Sequence, residues 1–223
     1  MAKKRHHSLD RRNAGKRPTR DRILIITEGE TERAYFEALR RYYRIPAVEC
    51  RVMPSGKGTS PKNIVDYAES LLLNGFTNNQ RLLFPPKAFE KVFVVFDEDN
   101  DPLARITAIK RIKELSGKYR TQEKQNIEFT AVDSIPNFEL WFLLHFEYLY
   151  PQKMLPLDSI ERLKRYVPDY VKPMSTMFDK TKDQIFLAVK RAEKLLADDS
   201  RQKGDICTNI HLSVKALLQS ETG

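Results

Sequence analysis

The segment KVFVVFDEDND, residues 91–101, carries the pattern that decides the fold. After Lys91, five consecutive residues are β-branched or aromatic, so both faces of the predicted strand 91–96 are apolar. Burial on both faces is typical of a central strand in a parallel sheet. The acidic run Asp97-Glu98-Asp99-Asn100-Asp101 follows at once, which places carboxylates at the carboxyl end of this strand.

A second strand with a similar ending lies upstream, in ILIITEGETERAYF, residues 23–36. Residues 22–27 predict a short buried strand that leads directly into Glu28. The rest of the chain can be assigned in the same way, with strands expected at 22–27, 48–53, 91–96 and 127–132. Helices are expected at 30–44, 61–73, 103–119 and 138–146. Residues 74–90 are expected to form an irregular surface excursion. This alternation predicts an α/β fold with a largely parallel sheet flanked by helices.

Pattern and charge divide the chain into three parts. Residues 1–21 are expected to form a basic disordered arm, residues 22–150 the α/β domain, and residues 151–223 a helical C-terminal region packed on the same domain, with an amphipathic helix at 182–196. Residues 1–22 contain nine Lys or Arg and two Asp, which is +7 of the net charge of +9. Such an arm favours sequence-independent binding of nucleic-acid phosphates, and a solvated solubility tail is the alternative.

The composition of the chain limits the cellular compartment and the class of protein to which it can belong. No apolar run approaches the roughly 20 residues that span a bilayer, and the first residues lack the apolar core of a secretory signal. The two cysteines, Cys50 and Cys207, form neither a disulfide framework nor a CxxC metal motif. We therefore expect a cytoplasmic protein with no membrane association.

Carboxylates at the ends of two strands predict a metal site. In open parallel sheets, ligands bind beyond the carboxyl ends of the strands, where Glu28 and the pair Asp97 and Asp99 are expected to converge. Clustered carboxylates repel each other unless a cation compensates them, and Mg²⁺ is the usual ion, with Mn²⁺ as an alternative. The competing interpretation is an acidic loop in which Asp101 starts a helix. A calcium EF-hand is excluded because Pro102 stands where that loop requires glycine.

Other polar residues near the strand ends each allow two interpretations. Glu139, in the first turn of an apolar helix, is either a third carboxylate of the site or a capping acid. Glu30 is assigned to the helix start, whereas Glu32 stays open between a helix-start acid and a site residue. Lys57 precedes a helix in the loop GKGTSPKN, where it either contacts phosphate or belongs to a flexible loop. That loop lacks the P-loop spacing, and isolated histidines such as His145 form no zinc site.

Three segments in order, ILIITEGETERAYF, VFVVFDEDND and SIPNFELWFLLHF, resemble the RloB-like family, a group of Toprim-like proteins from bacterial anti-phage and restriction loci. The resemblance implies a Toprim-like fold in which a strand-end Glu and a D-x-D pair bind Mg²⁺, and these map to Glu28, Asp97 and Asp99. The acidic residue of the family's P-x-FE-W segment maps to Glu139. The C-terminal segment CTNIHLSVKAL departs from the family's usual ending, so the role of His211 stays open.

Two functional hypotheses follow. The first is a magnesium-dependent endonuclease that hydrolyses DNA or RNA, tRNA included, in anti-phage defence. Its catalytic residues would be Glu28, Asp97, Asp99 and Glu139, with the first three as metal ligands. Its phosphate-binding residues would be Lys57 and, in the arm, Lys3, Lys4, Arg5, Arg11, Arg12, Lys16 and Arg17. The resemblance implies an ABC-type ATPase partner, and a homo-oligomer stays open. The alternative is a non-catalytic Toprim-fold subunit that binds nucleic acid or an ATPase.

Overall fold

The centre of the protein is a five-stranded sheet. The computed structural model describes residues 21–45, 48–52, 60–98 and 101–219. The strands are β1 (Ile23–Thr27), β2 (Val48–Val52), β3 (Phe76–Asn78), β4 (Arg81–Phe84), β5 (Lys91–Asp97), β6 (Glu128–Ile135) and β7 (Cys207–Thr208). The helices are α1 (Glu30–Tyr42), α2 (Pro61–Asn74), α3 (Pro102–Leu115), α4 (Glu139–Phe146), α5 (Pro156–Leu163), α6 (Met177–Thr181), α7 (Ile185–Leu196) and α8 (Ile210–Gln219). In this part of the chain no helix is both long and apolar enough to cross a membrane.

The sheet is mixed and mostly parallel. Its strand order is β2-β1-β5-β6-β7, and the first four strands run parallel to one another. The short strand β7 pairs antiparallel with the end of β6 at the edge of the sheet. The predicted α/β fold, with helices flanking a largely parallel sheet and a helical C-terminal region, is confirmed.

Strand β5 is buried on both faces, as its sequence predicts. Phe93 and Val95 belong to a core that the sheet forms with α1, α4 and the C-terminal helices. Val92, Val94 and Phe96 point to the opposite face and belong to a second core with α2 and α3. Since complete burial of a large apolar side chain contributes about 1.5–3 kcal/mol, this strand is held in place from both sides.

The connections create a topological switch point between β1 and β5. From β1 the chain crosses through α1 to β2 on one side, and from β5 it crosses through α3 to β6 on the other side. Helices α1 and α3 pack on opposite faces of the sheet. Because connections diverge at such a point, they leave a crevice beyond the carboxyl ends of the strands, where ligands of open α/β sheets bind.

The expectation that residues 74–90 are irregular is wrong. Strands β3 and β4 pair antiparallel in a separate two-stranded sheet. Gly75 leads into this hairpin with a φ of 71°, and a Cβ there would lie 2.6 Å from the carbonyl oxygen of Phe84. Glycine is therefore the residue that fits at this position. The hairpin lacked a sequence signal because its strands are three and four residues long and mostly exposed.

Other elements also differ from expectation. Helix α3 ends at Leu115, short of residue 119, because Gly117 takes a φ of 75°. Strand β6 continues past residue 132 to Ile135, because Ser134 still pairs with Asp97 of β5. Strand β7 has only two residues, so tertiary pairing with β6 defines it, and no pattern in its own sequence does.

The C-terminal helices share the first core with the sheet. Residues 140–144 of α4 are fully buried, and α4 packs against α5 and α7. Ala188 of α7 and Val214 of α8 lie in the same core as Val95. The division into residues 1–21, 22–150 and 151–223 stays a prediction, and residues 1–20 lie outside the described segments.

Candidate functional site

The ends of β1 and β5 bring two predicted site residues together at the switch point. The backbone N–H of Glu28 donates to the carbonyl oxygen of Val95 at 3.2 Å, which continues the strand pairing past Thr27. The Glu28 carboxylate then accepts a hydrogen bond from the backbone N–H of Asp97, with Oε2 3.4 Å from the nitrogen. Asp97 is 7% exposed and Glu28 is half-buried. Both acids therefore lie at the carboxyl edge where the crevice opens.

Several predicted site residues lie outside the described residues. These are Asp99, Lys57 and the arm residues Lys3, Lys4, Arg5, Arg11, Arg12, Lys16 and Arg17. Their roles as a metal ligand and as phosphate contacts stay predictions.

Glu139 is fully buried in the first turn of α4 and has two polar partners. The hydroxyl of Tyr170 donates to its Oε1 at 2.7 Å, and the ammonium of Lys172 lies 3.2 Å from the same oxygen. A charge with no exposure needs such partners, because an unpaired buried carboxylate is strongly destabilising. Glu139 is thus held as a paired carboxylate, which goes beyond the role of a helix-capping acid.

Lys172 links Glu139 to the switch point. Burial lowers the pKa of Lys172, but the nearby carboxylates of Glu139, Asp97 and Glu32 raise it overall. One ammonium group therefore lies within electrostatic reach of three carboxylates, while its side chain remains 44% exposed. The same surroundings affect Tyr170, because burial and the charge of Glu139 raise the pKa of the Tyr170 hydroxyl.

Glu32 is the second site residue that the sequence left undecided. Its side chain is 3% exposed, and its Oε2 has no hydrogen-bond partner among the described residues. Burial raises the pKa of this carboxyl, an effect that the Lys172 ammonium opposes. By contrast, Glu30 is exposed and pairs with Arg33 at 2.7 Å, as a helix-start acid would. The two acids of the first turn of α1 therefore have different environments.

The Glu32 carboxylate folds back against Gly29. Gly29 takes a φ of −128°, an extended conformation open to any residue, so the backbone alone does not call for glycine. A Cβ at this position would lie 2.8 Å from Oε2 of Glu32. A side chain at this position would therefore push the end of the Glu32 side chain aside.

A separate polar network anchors the next strand. Arg105 of α3 forms an ion pair with Asp133 of β6, and the Asn209 side chain donates to the other carboxylate oxygen at 2.8 Å. The Asp133 backbone N–H donates to Asn209 in return. Asp133 is therefore fully engaged in joining α3, β6 and the segment after β7, and we assign it a structural role.

Two carboxylates fit the coordination that Mg²⁺ adopts in proteins. Within the described segments, no three His, Cys, Asp or Glu side chains are grouped so as to hold a metal ion. Mg²⁺ is usually held by only one or two carboxylates, with water and substrate phosphate as the remaining ligands. Glu28 and Asp97 meet this requirement.

The two histidines that the structure describes, His145 and His211, give no sign of a metal or catalytic role. His145 is 2% exposed, and its Nδ1 lies 2.9 Å from the carbonyl oxygen of Trp141 one helical turn away. Burial lowers its pKa to about 4, so the ring is neutral at physiological pH. Burial likewise lowers the pKa of His211, which is 5% exposed in α8. The interpretation of His145 as a core residue fits these surroundings.

Sequence reasoning missed Tyr170 and Lys172. Both lie in the irregular segment between α5 and α6, more than 30 positions from Glu139 in the chain. The only signal near them is Pro168 and Pro173, which interrupt the helical pattern. A lysine in such a segment looks like any solvated surface residue, so only the fold reveals its contact with Glu139.

Comparison with known proteins identifies the family. No similar protein was found among curated proteins, and none was found among solved structures. The family model described as RloB-like protein matches residues 23–217. This range begins at β1 and includes Glu28, Asp97 and Glu139 together with nearly all of the C-terminal helices. The chain belongs to the RloB-like family.

Proposed function

We propose that this protein is a magnesium-dependent nuclease that hydrolyses phosphodiester bonds of DNA or RNA. The observation that carries the proposal is the meeting of Glu28 and Asp97 at the switch point, where the Glu28 carboxylate accepts the Asp97 backbone N–H. Two carboxylates at the carboxyl edge of a parallel sheet are suited to a hard cation and a phosphate ligand. Membership of the RloB-like family is consistent with a role in anti-phage defence beside an ATPase partner, and cytoplasmic location belongs to the same proposal.

Glu28, Asp97 and Asp99 are the proposed ligands for Mg²⁺ or Mn²⁺. Such an ion, when bound, polarises the scissile phosphate and stabilises the charge that develops on its oxygens. Asp97 is nearly inaccessible and suits a fixed ligand, whereas Glu28 is half-buried and can exchange protons with water. Glu28 is therefore the better candidate for general acid or base.

Lys172 has a positioning role in this proposal. Its ammonium lies 3.2 Å from Glu139 and remains 44% exposed, so it faces both the buried acid and the crevice. An exposed lysine within electrostatic reach of the strand-end carboxylate of Asp97 can contact a phosphate oxygen as a point charge. Glu139 and Tyr170 would hold the Lys172 chain in place, and Glu139 thereby supports the site through Lys172.

A non-catalytic subunit is the second candidate, favoured by one specific observation. Lys172 already offers a cation to Glu139 and Asp97, and the described residues contain no cluster of three metal-ligating acids. A protein of this kind would use the same edge to bind nucleic acid or an ATPase without hydrolysing a phosphodiester.

An Asp97→Asn variant tests the two candidates, with Asp101→Asn as the matched control. Asp101 belongs to the same acidic segment but caps α3 by accepting the Ala104 N–H, a function that asparagine retains. With Mg²⁺ or Mn²⁺, we expect the wild type and Asp101→Asn to cleave DNA or tRNA, and Asp97→Asn to be slower by about 100-fold or more.

Direct Mn²⁺ binding, measured by electron paramagnetic resonance, gives a readout that does not depend on a partner. We expect the wild type and Asp101→Asn to bind Mn²⁺ and Asp97→Asn to lose most of that binding. Equal cleavage and equal binding by all three proteins would overturn the site assignment. If the wild type binds nucleic acid but neither cleaves it nor binds Mn²⁺, the non-catalytic candidate is supported.

A further inference from the structure

A cavity of about 250 Å³ opens one residue beyond Asp97. Glu98 lines it from the end of β5, and Ile135 and Pro136 line it from the end of β6. Because consecutive Cα atoms are about 3.8 Å apart, the cavity directly adjoins the strand end that carries Asp97. It therefore lies at the same carboxyl edge as the candidate site, on the side of β6.

Polar and apolar groups contribute about equally to the walls of this cavity, and its charged lining residues are Glu98, Asp158 and Lys153. Ile135, Pro136, Met154 and Leu155 supply the apolar surface. The side chain of Glu98 is 12% exposed and forms an ion pair with Arg105 at 3.8 Å, a distance beyond that of a hydrogen bond. Its backbone N–H donates to the Ser134 carbonyl oxygen at 3.0 Å. Lys153 is exposed and also lines the cavity. A cavity that combines apolar surface with a few placed polar groups can orient a ligand.

The size of the cavity and its charged groups indicate which ligand it binds. The cavity is below the ~300–1,000 Å³ of pockets that enclose drug-sized ligands, so it holds a single ring system and no second nucleotide. A carboxylate accepts two parallel hydrogen bonds when two donors lie side by side. Among nucleobases, guanine presents such a pair in its N1–H and its N2 amino group, whereas thymine and uracil have a single N–H. Lys153 can then contact the phosphate that follows the base.

We propose that this cavity receives one unstacked guanine of the nucleic-acid strand, next to the phosphate at Glu28 and Asp97. The proposal rests on the nuclease function only for the choice of a nucleic-acid strand as the ligand. Glu98 reads the Watson–Crick edge of the base, and the apolar walls take the place of its stacking neighbours. Binding of a base in this cavity needs neither metal nor cleavage.

Fluorescence anisotropy in EDTA tests the proposal independently of hydrolysis. The probes are short single-stranded oligothymidylates that carry one guanine, one hypoxanthine or no substitution, in DNA and RNA versions with uracil in RNA. Hypoxanthine lacks the N2 amino group and so removes one of the two donors. We expect the guanine probe to bind about tenfold more tightly than the hypoxanthine probe, in keeping with a hydrogen bond to a charged group. Glu98→Gln should abolish that difference.

Leu155 and Leu157 provide a matched pair for the cavity wall. Their exposures are 63% and 62%, but only Leu155 lines the cavity. Leu155→Ala should weaken guanine binding severalfold, while Leu157→Ala should leave it unchanged, and thermal melting should confirm that both variants are folded. Equal affinities for guanine and hypoxanthine, or equal effects of the two leucine variants, would overturn the proposal. Free guanosine monophosphate that competes as well as the strand would show a mononucleotide site and also overturn it.

The two proposals can fail separately. If Asp97→Asn keeps the guanine preference in EDTA but the wild type cleaves nothing, the nuclease function fails and the base cavity stands. If the wild type cleaves with Mg²⁺ and shows no base preference, the reverse holds.

Discussion

Glu32 is a buried carboxylate whose removal should make the protein more stable. Glu32→Gln keeps the size of the side chain and takes away its charge. The charged form is unfavourable because burial, the largest influence, raises the pKa of Glu32 above its ordinary value of 4.5 despite the opposing Lys172 ammonium. Its Oε2 also lacks a hydrogen-bond partner among the described residues. Since leaving a charged group unsatisfied costs more than leaving a neutral amide unsatisfied, by an amount on the order of 1–2 kcal/mol, we expect Glu32→Gln to stabilise the protein by that amount near pH 8.

The sign of the pH dependence follows from linkage. A group whose pKa is raised on folding contributes stability below its unfolded pKa, here 4.5, and that contribution is lost as the pH rises through the folded pKa. The advantage of Glu32→Gln over the wild type should therefore be small near pH 4.5 and grow toward pH 8. Groups that titrate alike in both proteins cancel in this difference, which isolates Glu32.

Urea unfolding provides the assay, followed by the fluorescence of Trp141, which is the single tryptophan and is fully buried. Glu30→Gln is the matched control, because Glu30 lies in the same helical turn but is exposed and paired with Arg33. Its effect should stay within about 0.5 kcal/mol at every pH. A difference between the wild type and Glu32→Gln that does not change with pH, or a less stable Glu32→Gln at pH 8, would refute the desolvated-carboxylate argument.

Two further predictions concern buried groups near the site. Tyr170→Phe removes a 2.7 Å hydrogen bond to the fully buried Glu139 and should lower the free energy of unfolding by about 2 kcal/mol. The control variant Tyr150→Phe, at a residue that is 68% exposed, should change the free energy of unfolding by less than about 0.5 kcal/mol in the same urea assay. His145 should titrate near 4 by NMR, since its ring is buried beside the Trp141 carbonyl oxygen; titration near the ordinary 6.5 would contradict its burial.

The sequence predicts the structure correctly where a local residue pattern and a general rule about the fold lead to the same conclusion. Apolar residues on both faces of 91–96 identify a central strand, and the carboxyl-edge rule then brings its acidic end toward Glu28. Glu32 was ambiguous because an acid in the first turn of a helix already has a sufficient explanation in the helix dipole. Its burial and the proximity of Lys172 are both set by the tertiary structure, which no local pattern encodes.

The features that sequence reasoning missed all depend on contacts between residues that are far apart in the chain. Strand β7 is two residues long, and it exists because Cys207 and Thr208 pair with the end of β6 more than 70 positions earlier. Lys172 becomes a site residue through its contact with Glu139. No periodicity within either segment encodes these contacts, so a single sequence carries too little information to find them.

Charge balance connects the Glu32 prediction to the proposed function. The carboxylates of Glu139, Asp97 and Glu32 all raise the pKa of Lys172, so a single ammonium group lies within electrostatic reach of three acids. A cation held by Glu28 and Asp97 would add positive charge beside Glu32 and lower the pKa of its carboxyl. Saturating Mg²⁺ should therefore reduce the pH-dependent difference in stability between the wild type and Glu32→Gln. If the protein binds no cation at this edge, as the non-catalytic candidate holds, the same difference should persist with and without Mg²⁺, and the unfolding curves alone would then distinguish the two functions.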